Sequence, residues 1–216
     1  MFTFRNLKNR FNMKGVQYYL TNKAHYLSLI LNKYAKYYWN IVNYISANWW
    51  NIRIGRGCKF NGKVFFYRLQ DCEISIGENC EFNSRTTSNL SGLYTPCMIT
   101  TAKKRTKIII GNDCGFSGTR IRAGETITIG NNVRCGANTY IASTDAHTDD
   151  YRAGKDKPVI LEDNVWLGMN VVVLKGVRIG ENSLIGANST VTKDIPANVI
   201  AAGNPCRVIR QIDPLR

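Results

Sequence analysis

Two histidines occur among the 216 residues, and one of them, His147, lies in a run rich in acids: ASTDAHTDDYRAGKDKP, residues 142–158. Asp145, Asp149 and Asp150 flank it. Imidazole titrates nearest to neutral pH, so it is the usual group to accept a proton from an attacking hydroxyl. A neighbouring carboxylate can hold one ring nitrogen as N–H and leave the other free to accept. Asp145 is the carboxylate expected to do this for His147. A lone histidine beside acids is more often a solvated surface residue. The run around this one contains almost no side chain able to anchor a core, and it interrupts a regular pattern, which favours chemistry. His25 falls in a different region and is expected to be structural or solvent-facing.

The interrupted pattern has a period of six. Cut from Leu161, the chain reads LEDNVW, LGMNVV, VLKGVR, IGENSL, IGANST, VTKDIP. Position one is aliphatic in every hexad, from Leu161 to Val191. Position five is always small or β-branched, from Val165 to Ile195. The same phase appears in IGNNVR and CGANTY (129–140) and in IGNDCG (110–115), with looser copies from Ile54 and Ile76. An α-helix needs apolar spacings of three and four, and an alternating strand needs two. Short flat strands joined by tight corners fit a period of six. Positions one and five then point inward, and Gly or Asn takes the corner where positive φ is required. Three such sides make a coil of roughly 18 residues, and coils stack into a triangular prism with like residues in ladders. Cys58, Cys80 and Cys114 each follow an Ile-Gly pair at the same spacing, so they read as small buried hydrophobes in one repeated slot.

These hexads resemble the [Leu/Ile/Val]-[Gly/Ala/Glu/Asp]-x-x-[Ser/Thr/Ala/Val]-x repeat of the hexapeptide acyltransferases. The stretch 163–212 is similar to that family almost throughout, and the resemblance covers roughly residues 52–212. The branches most alike are the galactoside/maltose acetyltransferases and the O-acetyltransferases of capsule and lipopolysaccharide synthesis. The resemblance implies a left-handed parallel β-helix. Handedness does not follow from general physics, since about 98% of parallel crossovers are right-handed. The expected architecture is therefore all-β, with an N-terminal α-helical segment (1–50), a β-helix domain (51–212) carrying the extruded loop 142–158, and a short C-terminal tail.

The resemblance also implies a reaction. It makes His147 the base that deprotonates an acceptor hydroxyl as it attacks the thioester of acetyl-CoA. It places Trp166 at the thioester end, the backbone at Met169 and Ala187 along the pantetheine arm, and Thr192, Lys193, Arg207 and Arg210 around the nucleotide. A backbone N–H near Gly168 is a candidate oxyanion donor. A cleft shared between copies implies a homotrimer. The expected activity is O-acetylation of a sugar hydroxyl in a surface polysaccharide or its precursor. The alternatives are a nucleotide-sugar or aminosugar N-acetyltransferase and, in another class, a non-catalytic β-helical scaffold. No metal is expected: carbonic anhydrases on this fold hold zinc with three histidines, and this chain has two.

Charge and composition narrow the partners. Hydrophobic residues make up 44% and charged residues 20%, as in an ordinary folded protein. The net charge is +14, yet the first 70 residues hold twelve Lys or Arg and no acid before Asp71. Such asymmetry suggests an anionic partner near that end, such as acidic lipid, a polyanionic glycan or nucleic acid, while charge alone is more often a solvated basic face. The acyltransferase resemblance gives no reason to expect nucleic acid. Leu20, Ala24, Leu27, Leu31, Tyr34, Tyr38, Ile41, Ile45 and Trp49 follow a three-four spacing, which predicts an amphipathic helix. It could pack on the prism, or dock at an anionic membrane surface. Neither a secretory signal nor a spanning stretch is evident, so the expected location is the cytoplasm. Seven Cys without a Cys-x-x-Cys pair point to reduced structural thiols. The Ser-, Thr- and Lys-rich segment 82–107 could shape the acceptor pocket or bind an anionic chain.

Overall fold

The structure is a computed structural model that describes residues 22–145, 147 and 150–212. The chain separates into two compact units, Met1–Tyr38 and Trp39–Arg216. Helix α1 (Lys23–Trp49) crosses that boundary. Leu20 and the side chains of Ala24 and His25 lie outside the described residues.

The rest of the second unit is built in coils of three strands. Coil one holds β1 (Arg53–Ile54), β2 (Lys59–Asn61) and β3 (Phe65–Tyr67). Coil two holds β4 (Glu73–Ile76), β5 (Glu81–Asn83) and β6 (Met98–Thr101). Coil three holds β7 (Lys107–Ile110), β8 (Gly115–Ser117) and β9 (Arg120–Ala123). Coil four holds β10 (Ile127–Ile129), β11 (Arg134–Cys135) and β12 (Tyr140–Ala142). Coil five holds β13 (Val159–Leu161), β14 (Trp166–Leu167) and β15 (Val172–Val173). Coil six holds β16 (Arg178–Ile179), β17 (Leu184–Ile185) and β18 (Thr190–Val191). One strand of each coil joins each of three parallel sheets, so the prism has a first, a second and a third face. The second face is extended by β19 (Val199–Gly203) and closed by the antiparallel β20 (Cys206–Gln211).

Positions one and five of the hexads both face the interior. Leu161, Leu167, Val173, Ile179, Ile185 and Val191 are buried, as are Val165, Val171, Val177, Ser183, Ser189 and Ile195. On the second face the inward ladder begins with three aromatic rings. Phe60, Phe82 and Phe116 stack at 5.2 and 5.0 Å, with ring planes only 10° and 14° apart. The ladder continues through Cys135, Leu167, Ile185 and Ala201.

The corners fall to the residue types expected there, chiefly asparagine. Positive φ belongs to position four and not to the glycines of position two. Asn79, Asp113, Asn132, Asn138, Asn164, Asn170, Asn182 and Asn188 all adopt it, between 53° and 61°. Short side chains that hydrogen-bond locally tolerate that region best. Stacked coils let these amides bond to one another: Asn132 to Asn164, Asn164 to Asn182 and Asn182 to Asn198, each at 2.9 Å. The position-two glycines answer a different demand, close approach of neighbouring coils. A Cβ on Gly168 would lie 2.6 Å from the amide nitrogen of Ala187.

The thiols occupy the repeated slot. Cys58, Cys80 and Cys114 are buried and free, and each Sγ donates to a glycine carbonyl of the next coil: Gly77 at 3.2 Å, Gly111 at 3.2 Å and Gly130 at 3.1 Å. The stacked Cys114 thiol, together with burial, pushes Cys80 up to about 12. Such a thiol carries little of the reactive thiolate at neutral pH.

The helix meets the prism through polar caps. The first coil presents backbone groups with no coil beyond it, an open edge that invites pairing. Asn40 Oδ1 accepts from the Phe60 N–H at 3.0 Å, and Asn43 Oδ1 accepts from the Val64 N–H at 2.8 Å. Asn43 Nδ2 in turn donates to the Gly62 carbonyl at 2.9 Å. Asn43 and Ala47 are therefore the buried residues of this end of α1. The apolar stripe is turned the other way: Ile41, Ile45 and Trp49 are exposed, the last by 85%. Upstream, Leu27, Leu31, Tyr34 and Tyr38 are exposed too. The predicted helix is present, and within the second unit its apolar residues Ile41, Ile45 and Trp49 do not pack on the β-helix.

Candidate active site

Ala142 ends β12 on the third face and Val159 opens β13 on the first, so the loop between them leaves from the edge where those faces meet. Its feet are fixed by hydrogen bonds. Ser143 Oγ accepts from the N–H groups of Gly124 (3.1 Å) and Glu125 (3.0 Å) and donates to the Glu125 carbonyl (2.7 Å). Asp156, nearly buried, pairs with Lys103 of the preceding edge at 2.5 Å. Partial burial works against its ionisation, but hydrogen bonds from Lys103 and Thr144 and the charges of Lys103 and Lys175 outweigh it. They hold the carboxyl below the ordinary aspartate value.

Lys175 ties the two limbs of the loop together. Its Nζ pairs with the Asp145 carboxylate and donates to the Gly154 carbonyl at 2.7 Å. Between these two anchors the tip is wound by turns, with Asp150 N–H donating to the His147 carbonyl and Ala153 N–H to the Asp150 carbonyl. Asp150 is engaged in a two-pronged pair with Arg152, whose guanidinium holds its carboxyl below the usual aspartate value. His147 is exposed at the rim of a cleft of about 220 Å³, lined also by Lys103, Thr144, Asp145, Lys155 and Asp156. Asp145 thus shares the cleft with His147, as expected, but its carboxylate bonds to Lys175. Asp149 lies outside the described residues.

A concrete consequence concerns loop order. Replacing Lys175 by Met removes both anchors at once while filling similar space. Trypsin cleavage after Arg152 and Lys155 then accelerates severalfold in the native protein, because local opening becomes easier. An unchanged digestion rate would show that the loop holds its path without this lysine.

The other predicted residues fall on a different part of the prism. Trp166 points outward from the second face and is 55% exposed. Met169 and Ala187 follow at the edge between the second and third faces, both exposed and stacked in consecutive coils. The Met169 carbonyl accepts from Asn188 N–H at 2.8 Å, while the N–H groups of Met169 and Ala187 bond to no described residue. Gly168 N–H, by contrast, is committed to the Ile185 carbonyl at 2.8 Å and has no capacity for an oxyanion. Thr192 and Lys193 are exposed beyond β18, at the edge between the third and first faces. Arg207 and Arg210 are exposed on β20, which lies along β19 of the second face. The structure therefore gathers Trp166, Met169 and Ala187 along one edge and leaves Thr192 and Lys193 one face away.

Residues 84–97 were not read as part of this edge, yet they close its upper half. Asn138 Nδ2 donates to the Gly92 carbonyl (3.0 Å), Tyr94 N–H to Asn138 Oδ1 (3.2 Å) and the Tyr94 hydroxyl to Asn170 Oδ1 (3.1 Å). The edge is thus covered as far as coil five and open at Met169 and Ala187. No sequence signal marked this, because the excursion carries no hexad phase. Lys175 could have been found by counting: with Ile141 opposite Val173, residue 175 stacks below Ser143. Among the described residues no group of three His, Cys, Asp or Glu side chains could hold a metal.

Residues 158–193 match the family of bacterial transferases with six hexapeptide repeats. The chain is 42% identical over 142 residues to a galactoside O-acetyltransferase of Lactococcus lactis, covering 64% of this chain and 63% of that one. It is 49% identical over 93 residues to the galactoside O-acetyltransferase of Escherichia coli, covering 41% of this chain and 45% of the other. The aligned region spans about half the length of these relatives. Among solved structures, an N-acyltransferase of Bacillus cereus, AntD, superposes with a TM-score of 0.57 at 19% identity, covering 76% of this chain and 85% of its own. That protein was crystallised with dTDP-4-amino-4,6-dideoxyglucose and coenzyme A. The likeness is one of fold, and the fold is the left-handed parallel β-helix.

Proposed function

We propose that this chain, whose residues 158–193 match the bacterial transferase hexapeptide-repeat family, is an acetyl-CoA-dependent O-acetyltransferase acting on a sugar hydroxyl of a surface polysaccharide or its precursor. The observation that carries the reading is an imidazole held at the rim of a cleft by a loop with both limbs anchored, where the hexads are interrupted. A scaffold without catalysis needs no such interruption. The galactoside O-acetyltransferases named above support transfer to oxygen.

The step runs through His147. Its free ring nitrogen takes the hydroxyl proton while the acceptor oxygen attacks the thioester carbonyl. The tetrahedral oxyanion collapses, the C–S bond breaks, and the imidazolium returns the proton to the departing sulfur of coenzyme A. Asp145 acts here through Lys175, by fixing the segment from which His147 extends. The donor is expected along the open edge, where the unbonded N–H groups at Met169 and Ala187 can meet the amides of the pantetheine arm. Trp166 flanks the thioester. Thr192, Lys193, Arg207 and Arg210 supply the cations and hydroxyl that phosphates require.

Geometry also argues for a shared site. His147 stands at the edge between the third and first faces, and Trp166 lies on the second face. In a triangle that edge is opposite that face, so one copy cannot bring them together. A closed ring of three copies can, each lending His147 to a neighbour's donor groove.

Labelled acetyl-CoA offered with matched alcohol and amine sugars, followed by release of free coenzyme A, tests the reaction. Label entering hydroxyls is the expected result. Transfer confined to amines would convert the reading to N-acetylation, and no transfer to either would overturn it.

The N-terminal segment 1–50 complements the catalytic domain 51–212 as a peripheral anchor. No helix among the described residues is long and apolar enough to cross a membrane. An outward stripe of Ile41, Ile45 and Trp49, with acid-free basic sequence around it, suits the interface of an anionic bilayer on its cytoplasmic side. In flotation with anionic vesicles the whole chain rises with lipid and a chain lacking residues 1–50 stays below. Equal partitioning of the two would remove the anchor.

A further inference from the structure

The third face carries a second concavity, of about 350 Å³, lined by residues of the first three coils. We propose that it is a subsite for the non-reacting part of the acceptor, and that this acceptor is an acidic glycan chain. The inference rests on the acetyltransferase reading and adds which kind of acceptor the protein selects.

The lining is laid out by strand register. One outward row runs Tyr67, Thr100, Arg122, Ala142 through four successive coils. The row beside it runs Phe65, Met98, Arg120, Tyr140. Ala142 is the last residue before the loop that bears His147. Neighbouring strands are about 4.8 Å apart, so three steps carry the first row roughly 14 Å from the Tyr67 ring to the root of that loop. A chain lying along the row points its end at the catalytic imidazole.

The side chains are those that recognise sugars bearing a negative charge. Phe65 and Tyr67 remain 44% and 40% exposed on β3, the end strand of the third sheet, where aromatic rings offer flat apolar surfaces to the C–H faces of pyranoses. Trp50 packs against Tyr67 with ring centroids 5.2 Å apart and holds that ring in place. Thr100 adds a hydroxyl. Arg122 adds a guanidinium, whose planar fork matches a carboxylate in two hydrogen bonds. None of the ion pairs among the described residues uses Arg122, whereas the neighbouring Arg120 lies over the Tyr140 ring at 4.9 Å. An apolar platform beside an unpaired guanidinium fits a uronic or similar acid sugar better than a neutral one. Binding at this distance from the reacting atoms helps position the hydroxyl, a use of remote contacts common in enzymes.

The test compares a short oligomer of galacturonic acid with a matched oligomer of galactose on the intact protein. Affinity is measured without donor, and acetyl transfer is measured with it. The acidic oligomer is expected to bind at least tenfold more tightly. Arg122→Gln and Phe65→Ala are each expected to lower the affinity for it about tenfold, and with it the ratio of kcat/KM for the acidic oligomer to that for the single sugar. Equal affinity for the two oligomers, or wild-type binding by both variants, would overturn the subsite. So would a change of oligomeric state in Phe65→Ala without any oligosaccharide binding by the wild type, because the face would then be an interface between copies. Selective binding with no acetyl transfer to any acceptor would leave the subsite standing and remove the enzymatic reading instead.

Discussion

Replacing His147 with Ala lowers the turnover of acetyl transfer by about two to four orders of magnitude, the usual contribution of a positioned general base. The KM for acetyl-CoA changes little, since His147 is expected to take the acceptor's proton and not to hold the donor. The fold should survive the change. His147 is exposed, and the ties that shape its loop run through Lys175, Lys103 and Ser143. Circular dichroism and the thermal midpoint therefore stay at the wild-type values while initial rates of coenzyme A release collapse. A variant that turns over at the wild-type rate would exclude the imidazole from the chemistry. Asp145→Asn gives a smaller loss, because Gly154 still receives a hydrogen bond from Lys175 and the loop keeps one of its two ties.

Phe82→Ala costs about 3–5 kcal/mol of stability, the range for truncating a buried phenylalanine. Phe82 is the middle ring of the Phe60–Phe82–Phe116 stack, so its removal takes a packing partner from both neighbours. The interior of a prism is narrow, and its coils are held at ladder spacing by backbone hydrogen bonds above and below. The site can collapse very little, and the void persists. Urea unfolding, read by far-ultraviolet circular dichroism, measures the loss. Phe60→Ala should cost less, since Phe60 has a stacked ring on one side only and an edge-on Tyr44 at 5.6 Å. A Phe82→Ala midpoint within error of wild type would mean that the stack adds nothing beyond neighbouring contacts.

His147 and the inward positions of the hexads are legible in the sequence. A hexad repeat fixes which residues face inward, because a coil is closed by its immediate neighbours in sequence and stacked on copies of itself. Leu161 through Val191 and Val165 through Ile195 were placed in the interior from spacing alone, and all are buried. Cys58, Cys80 and Cys114 were assigned one slot by the same count, and they stand in one ladder. The interruption at 142–158 was legible for the converse reason, as a stretch whose residues satisfy no inward position.

Contacts made by the two excursions from the repeat were not legible. The pairing of Asp145 with Lys175 depends on the path of an excursion that obeys no period. The same is true of residues 84–97, which cross three coils to reach Asn170. At the corners the repeat showed which residue types recur without showing which role each plays. Only the backbone reveals that asparagine at position four takes the left-handed turn, while glycine at position two makes room for the adjoining coil. In α1 a three-four stripe predicted a helix and left open what the stripe faces. The first coil needed hydrogen-bond partners for its open edge more than it needed apolar cover, so Asn40 and Asn43 turned inward and the stripe was left outside. Sequence determined the repeating unit, since that unit is local. The tertiary structure decided what the non-repeating parts touch, since those contacts join residues whose separation no period encodes.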